Sequence, residues 1–199
     1  MIYANFMKVD GTNAYVVELE AYLADFHKAD TGLLFNSGYD ANVAVFTTLP
    51  QPGDVIVYDE YIQWVLPRPS SMCKLNSKLP ISASAIDGMR HTRAASKQPF
   101  KHNDVKSLKQ VLQYVKTSCP EIATGQRSVF IAMESVYSMD GDSPPIHRIL
   151  SAAKELFPLG NVVFYVDEAH SNGIIGPRGA GFISYHGLEH EFAIRVHSK

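Results

Sequence analysis

The apolar run Val162-Val163-Phe164-Tyr165-Val166 stops abruptly at Asp167-Glu168-Ala169-His170. Two carboxylates and an imidazole can transfer protons, bind cations or orient a ligand through hydrogen bonds. The run is short and rich in β-branched residues, which suits a strand buried on both faces. Open α/β sheets bind ligands beyond the carboxyl ends of such strands, where this cluster falls. A second run, Val129-Phe130-Ile131-Ala132-Met133, ends in Glu134 and leads into Ser135-Val136-Tyr137-Ser138-Met139-Asp140-Gly141-Asp142. Strand ends returning to solvent also collect acids, so neither cluster defines a site alone.

The elements that must position these groups alternate along the chain. Residues 14–27 read as an amphipathic helix, with Val17, Leu19, Leu23 and Phe26 near helical spacing. Gly32-Leu33-Leu34-Phe35-Asn36-Ser37-Gly38 then ends in small polar residues, and 39–49 is predicted helical. A small-residue turn opening a helix offers backbone N–H groups to a phosphate, although Ser-Gly is also an ordinary helix cap. Pro52-Gly53-Asp54 signals a turn before the strand-like Val55-Ile56-Val57-Tyr58. Asn103 or Asp104 can cap a helix over about 105–116, with the stripe Val105, Leu108, Val111, Leu112 and Val115. Pro144 and Pro145 start a helix running to about Leu156. This alternation predicts an α/β fold, a mainly parallel sheet with helices on both faces. There is no internal repeat and no second domain.

The whole composition narrows the function. A chain of 199 residues, 46% hydrophobic and 19% charged, can form one globular domain or part of a larger one. A net charge of -2 and a pI near 6.4 give no support for nucleic acid or an anionic membrane as partner. No apolar run approaches the roughly 18 residues that span a bilayer. The first residues lack the pattern of a signal peptide. The two cysteines, Cys73 and Cys119, form no C-x-x-C pair, which fits a reducing, cytoplasmic setting. Asp-Glu-Ala-His invites comparison with nucleic-acid helicases, but no Gly-Lys-Ser/Thr phosphate loop accompanies it. Asp140-Gly141-Asp142 lacks the remaining ligands of a calcium loop, and His186 and His190 lack a His-Glu-x-x-His context. No metal site is expected.

Five segments occur in a telling order: Phe35-Asn36-Ser37-Gly38-Tyr39-Asp40-Ala41-Asn42, Pro52-Gly53-Asp54, His102-Asn103-Asp104, 134–142, and Asp167-Glu168-Ala169-His170-Ser171-x-Gly173. Together they resemble the α-oxoamine synthases, fold-type-I enzymes dependent on pyridoxal 5'-phosphate. The resemblance covers about 8–62 and 83–197, and the 8-amino-7-oxononanoate synthase branch, a biotin-forming one, is nearest in pattern. It implies a partial large domain and decarboxylative condensation of an amino acid with an acyl-CoA, carried out by a homodimer. It also implies that Asp167 pairs with the pyridine nitrogen, keeping it protonated so that the ring draws electrons from the substrate α-carbon. His170 and Ser138 would hydrogen-bond the phenolic oxygen. Backbone groups of Ser37, Gly38 and Tyr39 would hold the phosphate, and Glu134 would play a supporting part in the pocket. Glu168 would point away or support the loop. A non-catalytic binding fragment and an aminotransferase of the same fold are the alternatives.

The chain departs from that family in three places. It starts later than the family pattern does. Between Ile62 and Ala83 lies the atypical stretch 63–82, proline- and serine-rich and without an acid, where the family has a ring-stacking histidine. At the end, Arg195-Val196-His197-Ser198-Lys199 puts lysine two positions after histidine rather than four, so Lys199 is a poor match for the covalent lysine. The expectation is a truncated large domain, without the small carboxyl-terminal domain and with impaired activity.

Overall fold

Alternation of side chains along each strand sorts the apolar residues into two layers. The computed structural model describes residues 2–4, 14–62 and 88–198, so the stretch 63–82 and Lys199 lie outside the described residues. Its strands are β1 (Ile2–Ala4), β2 (Leu33–Phe35), β3 (Val55–Asp59), β4 (Ser96–Phe100), β5 (Val129–Glu134), β6 (Val162–Asp167) and β7 (Ile194–Ser198). They form one sheet in the order β2-β1-β7-β6-β5-β3-β4, with every pairing parallel. The helices are α1 (Ala14–Phe26), α2 (Gly38–Thr48), α3 (Val105–Ser118), α4 (Pro120–Ala123), α5 (Ile146–Leu156) and α6 (Phe182–Tyr185).

On one face Val55, Val57, Val129, Ile131, Met133, Phe164 and Val166 pack against α3 and α5. On the other, Ile56, Tyr58, Phe130, Ala132, Tyr165 and Val196 pack against Ala41, Val45 and Phe46 of α2. The period of two therefore assigns Glu134 and Asp167, the next residues in phase, to the α2 face. Parallel pairing also brings all carboxyl ends to one edge. At the opposite edge Asp54 fastens β3 to β5, its Oδ1 accepting from Ser128 N at 2.8 Å and its Oδ2 from Gln51 N at 2.7 Å. The Pro52-Gly53-Asp54 turn is thus structural.

The stripe of α3 is buried as expected at Val105, Leu108, Leu112 and Val115. Asp104 is its cap, accepting from Lys106 N and Ser107 N, whereas Asn103 takes the left-handed conformation at φ 52°. Replacing Asp104→Ala should lower stability by about 1 kcal/mol, read from the midpoint of urea unfolding at unchanged slope. The α1 stripe differs from expectation: Val16 and Ala24 point inward while Val17 is 51% exposed. Apolar residues lie nearly all round α1, so spacing alone did not choose the buried face. His186 and His190, four apart in the sequence, do not share a helix face, for one ends α6 and the other lies in a following 3-10 turn. Among the described residues no helix is long and apolar enough to cross a membrane.

Candidate functional site

Glu134 and Asp167 are register partners at the carboxyl ends of β5 and β6. Both are buried, which disfavours their charged forms. They differ in what compensates. Asp167 Oδ2 accepts from Asn42 Nδ2 at 2.9 Å and Oδ1 from Ala169 N at 2.9 Å. Its pKa is raised by burial, with these donors and nearby His170 opposing the rise. At Glu134 burial acts first and the carboxylates of Asp167 and Asp59 add to it, pushing the pKa up to about 8. Glu134 is therefore the member of the pair that holds a proton at neutral pH, while the two donors favour the charged form of Asp167.

The amino end of α2 lies at the same edge. Ser37 is its cap, with Oγ accepting from Asp40 N at 3.0 Å and donating to Asp40 Oδ2 at 2.9 Å. Gly38 packs against β7 so closely that a Cβ there would stand 3.0 Å from Ser198 Cβ, and Tyr39 beside it is half-exposed. The ordinary-cap reading of Ser37 is correct, and it coexists with backbone N–H groups facing this edge. One helical turn further on, Asn42 is completely buried and reaches Asp167. Tyr165 OH donates to Asn42 Oδ1, closing a chain from β6 to α2 and back.

The loops after β5 and β6 carry the other expected residues. Ser138 and His170 are both exposed there. Ser135 Oγ and Ser171 Oγ lie 2.8 Å apart and join the two loops at their bases. Glu168, in phase with the opposite face, turns away from Asp167 as expected and holds its loop. Its Oε1 accepts from Ile183 N at 2.9 Å and Ser171 Oγ at 3.2 Å, and Oε2 lies 3.6 Å from His197 Nε2. Burial raises its pKa to about 7, opposed by those donors and Arg195. Gly181, at φ 102°, leaves room for this carboxylate, since a Cβ would come within 2.6 Å of Oε1.

His102, in the His102-Asn103-Asp104 segment, sits between two carboxylates. Its Nδ1 lies 2.8 Å from Asp59 Oδ1 and its Nε2 3.0 Å from Asp142 Oδ2, with the Tyr61 ring stacked on it at 3.7 Å. Burial works against its charge, but the two carboxylates outweigh burial and raise its pKa. This clamp grips the 135–143 loop that carries Ser138, and it is strongest in acid, weakening as pH rises through the folded pKa. His102→Leu should speed amide exchange at Tyr137 and Gly141 about tenfold, because both amides close that loop (Tyr137 N to Asp142 O, 2.9 Å; Gly141 N to Tyr137 O, 2.8 Å). Among the described residues no group of three or more His, Cys, Asp or Glu could hold a metal ion.

The sheet, its helices and the edge where these groups gather are those of part of a fold-type-I transferase domain. A serine palmitoyltransferase from S. paucimobilis, solved with a bound PLP–myriocin aldimine, superimposes with a TM-score of 0.70 at 28% identity, over 94% of this chain and 39% of its own. In sequence the chain is 48% identical over 190 residues to an 8-amino-7-oxononanoate synthase of Emericella nidulans, covering 96% of this chain and 42% of the relative. It is 39% identical over 182 residues to 5-aminolevulinate synthase 1 of Cereibacter sphaeroides, covering 90% of this chain and 37% of the relative. No family model matches the chain. The chain spans about two fifths of the length of these relatives, and over that span its fold and sequence match those of α-oxoamine synthases.

Proposed function

We propose that the chain carries the pyridoxal 5'-phosphate site of an enzyme that condenses an amino acid with an acyl-CoA, releasing CO2 and CoA. One observation carries this: Asp167, a buried carboxylate held by two donors, stands on the α2 face one helical turn from that helix's amino end. The donor set suits the cofactor, because an anionic group at a helix amino end and a cationic ring nitrogen at a carboxylate call for opposite partners. When bound, the cofactor supplies an electron sink for the substrate α-carbon. Asp167 keeps the proton on the ring nitrogen. The backbone of Ser37, Gly38 and Tyr39 receives the phosphate. His170 and Ser138 donate to or accept from the phenolic oxygen, fixing ring rotation. Glu134, protonated at neutral pH, donates a hydrogen bond or a proton within the pocket.

The finer version is an 8-amino-7-oxononanoate synthase-like activity, and with it a role in biotin formation in the cytoplasm. Its support is the 48% identity to the E. nidulans enzyme; similarity to a 5-aminolevulinate synthase at 39% marks the alternative substrate pair. A homodimer is the proposed working form. The test is release of free CoA thiol from a panel of amino acids and acyl-CoAs. Release that requires cofactor, amino acid and acyl-CoA together is the expected result. Transfer of the amino group to a 2-oxo acid, without CoA release, would identify an aminotransferase instead.

A further inference from the structure

We infer that Asn42, oriented by Tyr165, is a positioning residue that sets the carboxylate of Asp167 for the ring nitrogen, so that α2 governs both ends of the cofactor. The inference rests on the proposed cofactor site and adds residues to it that neither the sequence pattern nor the family comparison singles out.

The orientation of Asn42 is determined by its two neighbours. Tyr165 OH donates to Oδ1, and Nδ2 donates to Asp167 Oδ2 at 2.9 Å. Reversing the amide would set Nδ2 against the hydroxyl and Oδ1 against a carboxylate, two acceptors in contact. With Asn42 at 0% exposure and Tyr165 at 1%, no water competes. Asp167 is thereby fixed at both oxygens, by Asn42 and by Ala169 N. The titratable groups facing it are Glu134 from β5, Tyr165 from its own strand and His170 from the following loop. Asn42 lies four residues into the helix from Gly38, a rise of about 6 Å. A shift of α2 would thus move the phosphate end and the ring-nitrogen partner together.

Exchange of the two side chains separates positioning from packing. In the cofactor-free chain, Asn42→Asp sets two carboxylates in contact, so stability should fall as pH rises from acid to neutral. The exchanged double variant Asn42→Asp/Asp167→Asn restores an amide–carboxylate bond and should recover most of that loss. If the two substitutions are additive, the residues do not act as a pair and the inference is overturned. The second arm measures pyridoxal phosphate affinity by fluorescence titration. Asn42→Ala should weaken binding about tenfold in the native background and not at all beside Asp167→Asn, while Tyr165→Phe should weaken it a few-fold. Equal losses in both backgrounds would mean that Asn42 acts independently of Asp167, which also overturns the inference. If the native chain binds no pyridoxal phosphate, the proposed function fails, and the exchange alone still decides whether Asn42 holds Asp167. The exchanged variant should regain stability without regaining cofactor affinity, because its carboxylate has moved to the helix.

Discussion

Asp167→Asn should weaken pyridoxal phosphate binding by about 100-fold. The substitution preserves shape, so the fold and the neighbouring loop should survive it. What it removes is a charge-assisted bond to a protonated ring nitrogen, worth roughly 1.5–3 kcal/mol in a buried setting. It also disturbs the apo site, because an amide now faces the Asn42 amide and one of the two must reverse. Glu168→Gln is the control. Its carboxylate serves Ile183 N and Ser171 Oγ on the other face, so its loss should change stability and leave cofactor affinity within a few-fold. Equilibrium titration of both variants checks this. Equal or larger weakening from Glu168→Gln would contradict the assignment of the two acids.

The second large effect is on stability. Glu134 has a folded pKa of about 8, above the ordinary carboxyl value of 4.5. A group raised in this way binds its proton more tightly in the folded state. Its contribution is therefore fully present below about pH 4.5 and is lost as pH rises toward 8. The loss is on the order of 4–5 kcal/mol by pH 8. Glu134→Gln keeps a neutral, hydrogen-bonding side chain and should remove that slope. Urea unfolding from pH 5 to pH 9 should show the native chain losing stability while Glu134→Gln loses less, with the curves separating most above neutrality. Glu168 and His102 add slopes of the same sign, so the difference between the native chain and Glu134→Gln, and not the native slope alone, reports on Glu134.

The central strands were legible because β5 and β6 are covered on both faces, which demands the continuous apolar runs that the sequence shows. The acids that end them were legible for the same reason: polarity there is abrupt. β4 was not, because an edge strand needs no apolar run, and Ser96-Lys97-Gln98-Pro99-Phe100 carries a proline that only an edge tolerates. β7 was hidden by Arg195 and His197, two polar residues in a buried strand. Their compensation is tertiary: Arg195 Nη2 donates to His27 O at 2.7 Å, and the His197 ring lies 3.9 Å from that of His27. Asn42 ends the segment 35–42, yet no local rule connects it to a carboxylate 125 positions away. The same holds for His102, whose two carboxylate partners come from the end of β3 and from the 135–143 loop.

Asp167 is proposed to keep the cofactor's ring nitrogen protonated by accepting its N–H. The most direct measurement is the 15N NMR spectrum of pyridoxal phosphate, labelled at the ring nitrogen, bound to the native chain and to Asp167→Asn. The native complex should show the pyridinium shift across pH 6–9, and the variant complex should show the neutral pyridine shift. A neutral pyridine in the native chain, or the same shift in both proteins, would contradict it.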